Sequence, residues 1–122
     1  MSIETWKAEF LSEVKEMPNK DALQHALKKW KGLKQKNLEK HGINKPLGTG
    51  SIFTADEELF VGGSTCVFCL MYADSDSGDC HGCPLRSSRS CGDGCVTQWR
   101  HWVYYSNPAP MIRRIQLAIR KQ

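Results

Sequence analysis

The residues best suited to chemistry in this 122-residue chain lie in one stretch, "STCVFCLMYADSDSGDCHGCPL", residues 64–85. It holds two Cys-x-x-Cys pairs, Cys66 with Cys69 and Cys80 with Cys83. Thiolate sulfur binds zinc at about 2.3 Å, and four thiolates close a tetrahedron. Two cysteines three apart can face one ion from a single turn, so each pair supplies half of such a shell. The connection between the pairs contains "ADSDSGD", small and polar with Gly78, and suits a chain that reverses and returns. In "CHGC", Gly82 lets the backbone wrap closely enough for amide N–H groups to reach sulfur. "CVFC" has no glycine and reads as a helical turn, with Cys66 and Cys69 on one face and Phe68 in the core.

This spacing points to a structural Zn2+ site with Cys66, Cys69, Cys80 and Cys83 as ligands. An iron–sulfur cluster is the alternative, because Pro84 follows Cys83 as in cluster-binding runs. Disulfides fit less well. The chain opens "MSIETWKAEF", without the basic and apolar blocks of a secretory signal. The expected address is cytoplasmic, where thiols stay reduced. Cys91 and Cys95, in "CGDGC", are possible substitutes within the metal shell, and so is His81. Cys91 and Cys95 also fit a reversible redox pair, with Arg86 and Arg89 the nearby groups able to lower a thiol pKa. His101 lies among aromatic residues on a helical stretch and reads as packing.

The pattern speaks against an enzyme. Four thiolates leave no open position on the metal, and the cysteine stretch contains no glutamate to serve as general base. The H-x-E of zinc deaminases, a phosphate-binding glycine loop and G-x-S-x-G are all missing from the sequence. Asp74, Asp76 and Asp79 lack the glycine position and terminal glutamate of a calcium loop.

The elements that must hold these cysteines read as mainly helical. Ile3, Trp6, Phe10, Val14 and Met17 recur at helical spacing, capped by Ser2 and stopped by Pro18. A second helix starts near Asn19, buries Leu23, Ala26, Leu27 and Trp30, and breaks at Gly32. A third covers Lys34 to His41 and ends at Gly42, although a single bent helix over 20–41 keeps the same face. "SIFT" and "ELFVG" predict a small hairpin around "ADE". Val96, Trp99, Trp102 and Val103 mark a further helix. Pro110 opens a last one, with Met111, Ile112, Ile115, Ala118 and Ile119 buried. Trp6, Phe10, Leu27, Trp30, Ile115 and Ile119 should bring the two ends together.

The expected architecture is therefore one small, mainly α domain with a β-hairpin and a zinc-stapled loop region. Residues 1–45 form its helical N-terminal part, 46–95 the hairpin and cysteine region, and 96–122 the C-terminal helices. At 40% hydrophobic and 25% charged residues, the composition is that of a soluble globular chain without a bilayer span.

Charge is segregated along it. Residues 46–85 hold six acids and neither Lys nor Arg, between two strongly basic segments. The formal charge of +4 falls to +2 once four thiolates and one zinc are counted. "KKWKGLKQK" sets Lys28, Lys29, Lys31, Lys34 and Lys36 around Trp30. Helical periodicity assigns Trp30 to the core and leaves the lysines on the solvent side. Arg113, Arg114, Arg120 and Lys121 form a second cationic group. "WRHWVYY" has more aromatic surface than one helix face can bury, so Tyr104 and Tyr105 are candidates for an exposed partner site.

"LQHALKKWKGLKQKNLEKHGI", residues 23–43, followed by C-x-x-C…C-x-G-C-P-L, resembles small cysteine-rich proteins carried by bacteriophages and prophages. That group has no assigned activity, so the resemblance carries over only the four cysteines. It implies an accessory factor in the host cytoplasm acting on host or phage macromolecules, such as an inhibitor of a host process or defence.

A bipolar surface favours a protein partner, since patches of both signs fix register. On this reading Asp56, Glu57 and Glu58 belong to the docking surface, with Lys28, Lys29, Lys31, Lys34, Tyr104 and Tyr105. The alternative is a nucleic-acid-binding zinc module or transcription regulator using the Lys28–Lys36 face.

Overall fold

A computed structural model describes residues 2–62, 65–72 and 96–121. The chain begins with helix α1, Ile3–Phe10. Its start is set by a reciprocal cap: the Thr5 N–H donates to Ser2 Oγ at 3.2 Å, and the Ser2 N–H donates to Thr5 Oγ1 at 2.9 Å. The apolar periodicity predicts a helix running on to Pro18, yet α1 ends at Phe10. Leu11 turns extended, with φ −129° and ψ 90°. Tertiary contacts outweigh the local pattern here. Leu11 is buried, and the Ser12 carbonyl, which another turn of helix would have used, accepts from His25 Nε2 at 3.0 Å. Val14 and Met17 still pack on the core, but from non-helical backbone.

Helix α2, Asn19–Gly32, buries Ala22, Leu23, Ala26 and Trp30. The chain turns at Leu33 and Lys34, the latter extended at ψ 144°, before α3, Gln35–Lys40. Two helices form, not one bent one. Asn37 Nδ2 fills part of the gap by donating to the Lys31 carbonyl at 2.8 Å. Gly42, at φ +68°, ends α3 as its sequence position predicts. The Ile43 N–H reaches Leu38 O at 2.9 Å and the Gly42 N–H reaches Glu39 O at 3.1 Å, the paired bonds of a Schellman cap.

The hairpin is present. Strand β1, Ser51–Phe53, pairs antiparallel with β2, Glu58–Phe60, in the register Ser51 to Phe60, Ile52 to Leu59 and Phe53 to Glu58. Ile52 is fully buried. A short helix α4, Val67–Tyr72, follows the hairpin. Helices α5, Val96–Tyr105, and α6, Ala109–Arg120, complete the described chain. Pro110 lies in the first turn of α6, where a missing N–H costs nothing.

Helix α2 is the element the others share: α1, α3, α4 and α6 all pack on it, and α5 packs on α6. The two ends of the chain meet through α2. Trp6 and Ile115 are fully buried, and Trp30 crosses Trp102 edge-to-face at 5.4 Å. Phe10, Leu27 and Ile119 sit half-buried at the edge of the same core. Among the described residues the fold is mainly helical with one small sheet, as the periodicities predict.

Candidate functional site

The first cysteine pair is rooted in this core. Cys66 precedes α4, and its carbonyl accepts the Leu70 N–H at 3.1 Å; Cys69 is the third residue of the helix. Val67 and Phe68 are buried between them, as expected for Phe68. Cys66 itself is half-buried. Just upstream, Thr65 is buried, and its N–H and hydroxyl both donate to the Gly62 carbonyl, at 3.1 and 3.0 Å. Cys80, His81, Cys83, Cys91 and Cys95 lie outside the described residues. Among the described residues, no three His, Cys, Asp or Glu side chains converge as a metal site would require.

The lysines divide. Lys28, Lys31 and Lys34 are exposed, as expected of a solvent-facing group. Lys29 is not. Only 2% of its surface is accessible, and its ammonium donates to the Thr65 carbonyl at 3.0 Å while lying 5.6 Å from the Trp30 ring. The expectation that Lys29 joins a partner-facing patch is therefore corrected. The signal was present in the sequence: positions 22, 26, 29 and 33 form one helical stripe, and the other three are Ala22, Ala26 and Leu33. Trp30 is core, as periodicity indicates.

The acidic group sits on the hairpin. Asp56 and Glu58 are exposed and Glu57 is half-buried. Thr54 shapes the turn: its N–H donates to Glu57 O at 3.0 Å, and its hydroxyl accepts the Glu57 N–H at 3.1 Å. Glu58 is steadied by the Ser51 hydroxyl, which donates to Oε2 at 3.0 Å. Tyr104 and Tyr105 are 60% and 68% exposed, on the outer side of α5. Trp102, on the same helix, belongs to the core and is fully buried, and Trp99 Nε1 donates to Val61 O at 2.7 Å.

Two polar clusters join residues far apart in the chain and so leave no local signal in the sequence. Lys45 is buried, with its ammonium 4.8 Å from the Trp102 ring. It donates to Pro46 O at 2.7 Å, Val103 O at 2.9 Å and Ser106 Oγ at 3.1 Å. Loss of hydration pushes its pKa down. A cation at the carbonyl end of α5 is favourable, and this one ties residues 45–48 to the turn carrying Tyr104 and Tyr105.

The second cluster joins α1 to α3. His41 Nε2 lies 2.7 Å from Glu9 Oε1, and Lys40 Nζ donates to Glu9 Oε2 at 3.0 Å. The Glu9 carboxyl is held below the usual glutamate range, first by the Lys40 hydrogen bond and then by that of His41. Thr5 Oγ1 lies 3.0 Å from His41 Nδ1, giving a carboxylate–imidazole–hydroxyl row. That row is not built for nucleophilic attack. The Thr5 hydroxyl already serves the α1 cap, donating to Ser2 O at 2.9 Å.

The chain matches no protein-family model, no curated protein and no solved structure. No helix among the described residues is long and apolar enough to cross a membrane.

Proposed function

We propose that this chain is a small, zinc-binding, non-catalytic accessory protein that works by docking onto a protein partner. The observation that carries the reading is the rooting of the first Cys-x-x-Cys pair at the start of α4 by buried Thr65, Val67 and Phe68. A metal held there would be fixed to the core, as a structural staple needs. Cys66, Cys69, Cys80 and Cys83 are the ligands in this reading. Zinc supplies a cross-link and no reactive position.

Docking rests on the exposed acids of the hairpin and on Tyr104 and Tyr105. Acidic groups fix register and reject wrong partners, while exposed tyrosines supply contact area at low entropic cost. The resemblance to phage-borne cysteine-rich proteins suggests the role, a regulator or inhibitor of a host process or defence in the host cytoplasm.

The test is affinity capture from nuclease-treated bacterial lysate, comparing the native chain with one carrying Asp56→Lys, Glu57→Lys and Glu58→Lys. The native chain should retain a defined protein that the folded triple variant loses. Equal retention by both would overturn the docking surface.

A further inference from the structure

The two basic segments of the sequence lie far apart in the chain, but the fold brings them together. Helices α2 and α6 form the most extensive helix pair among the described residues, and Lys20, Leu23, Gln24 and Ile119 line one hollow between them. The start of α2 therefore lies beside the end of α6. Helical spacing then sets the outer faces. Lys20, Gln24 and Lys31 follow one stripe of α2, with Lys28 alongside it; Arg113, Gln116 and Arg120 follow one stripe of α6. Lys20, Lys28, Lys31, Arg113, Arg120 and Lys121 are all exposed. None of these six is in an ion pair among the described residues. Helix α6 has no acid, and the one acid of α2, Asp21, lies about 100° around the helix from Lys20, at the edge of the face in line with Lys28.

We infer that the outer face of the α2–α6 pair binds the phosphate backbone of a nucleic acid, without reading its sequence. The geometry selects this ligand. Lys20 to Lys31 spans roughly 16 Å and Arg113 to Arg120 roughly 10 Å at the helical rise, on axes about 8–10 Å apart. These cations do not converge on a point, so a small anion would meet only one or two of them. A duplex presents a charge about every 1.7 Å of its axis, so a polyphosphate chain can meet them all. Between the charges stand Gln24 and Gln116, whose amides can donate to phosphate and sugar oxygens. A membrane surface fits less well, because Leu117 is the one large exposed apolar side chain of the two helices, and insertion needs a row of them. This face goes beyond the protein-docking reading, and its decisive variant, Lys31→Gln with Arg120→Gln, and its assay differ from those of that reading's test.

The test uses the full chain and fluorescence anisotropy with labelled duplexes of two unrelated sequences. Both should bind equally, and affinity should fall by about 10³-fold between about 50 and 200 mM salt if six phosphates are contacted. Lys31→Gln with Arg120→Gln should weaken both equally and make the log–log salt slope shallower by about two. Lys7→Gln, on α1, should change neither. Thermal melts of the variants confirm that these exposed changes leave the fold intact. The inference is overturned if neither duplex binds at the lowest salt. It is equally overturned if the double variant binds like the native chain, or if anionic vesicles bind as tightly as DNA. Asp56→Lys, Glu57→Lys and Glu58→Lys should leave duplex affinity unchanged or higher, so the docking reading and this one fail separately.

Discussion

The ammonium of Lys29 donates to the carbonyl oxygen of Thr65 at 3.0 Å, inside the protein, and so ties the middle of α2 to the residue preceding Cys66. A buried lysine is costly unless its charge is met, so the contact only persists if α2 and the approach to α4 stay in register. The cysteine pair thus inherits its position from a residue of another helix.

Lys29→Ala should destabilise the protein by about 2–4 kcal/mol, through the vacated volume and the Thr65 carbonyl left without its donor. Lys28→Ala, one residue away and exposed, should stay within about 0.5 kcal/mol of the native chain. Urea unfolding of the two variants measures the contrast. Similar midpoints would contradict the buried placement of Lys29.

Gly32 makes a second junction. Its carbonyl accepts the Trp6 indole N–H at 2.9 Å, and a Cβ at this position would overlap Phe10, with the Phe10 Cβ only 2.6 Å away. Replacing glycine with alanine in an exposed helix usually gains up to about 1 kcal/mol. Gly32→Ala should instead cost about 1–3 kcal/mol, since the clash involves the base of the Phe10 side chain and α1 must shift. A raised melting temperature would show that α1 does not approach so closely.

The Glu9 cluster predicts a pH dependence with a definite sign. Lys40 and His41 hold the folded carboxyl below its usual range, so the contact favours the folded state at pH values above the unfolded glutamate pKa. That contribution is lost as the pH falls through the lowered folded value. Native and Glu9→Gln chains should differ most near neutrality and converge in acid. Added salt should narrow the difference, because the pair with Lys40 is exposed. Urea midpoints measured from neutral pH into acid check both trends.

For the metal, the purified chain should carry about one zinc, and chelation should lower its melting temperature, because binding energy at a closed thiolate site is folding energy. Cys80→Ser and Cys83→Ser should lose zinc, while Cys95→Ser should keep it. Equal loss in all three would mean that the ligand set is different. A brown protein with iron and no zinc would identify an iron–sulfur cluster instead.

Much of the fold was legible because its signals are local. Ser2 caps α1, Gly42 ends α3 and Pro110 opens α6, each by satisfying or sparing backbone groups within a few residues. The buried faces of α2, α5 and α6 follow from apolar spacing, which a helix converts directly into one side. The hairpin followed from two β-leaning runs around a polar turn. The candidate zinc ligands were equally legible as a pattern, since thiol chemistry and spacing are properties of the chain itself.

What the tertiary structure decided are relations between distant residues, which no local period records. The apolar rhythm through Val14 and Met17 was real, but the chain left the helix at Leu11, where burial and the Ser12–His25 bond compete with the next turn. Lys29 sat on the buried stripe, and the carbonyl of Thr65, brought there by the packing of α4 on α2, meets its ammonium. Lys45 found its carbonyls at the end of α5 in the same way. The amino-acid sequence alone established two separate basic segments; the packing of α6 on α2 made them neighbours. Charges repel or cooperate according to distance in space, and that distance is set by the core the helices share.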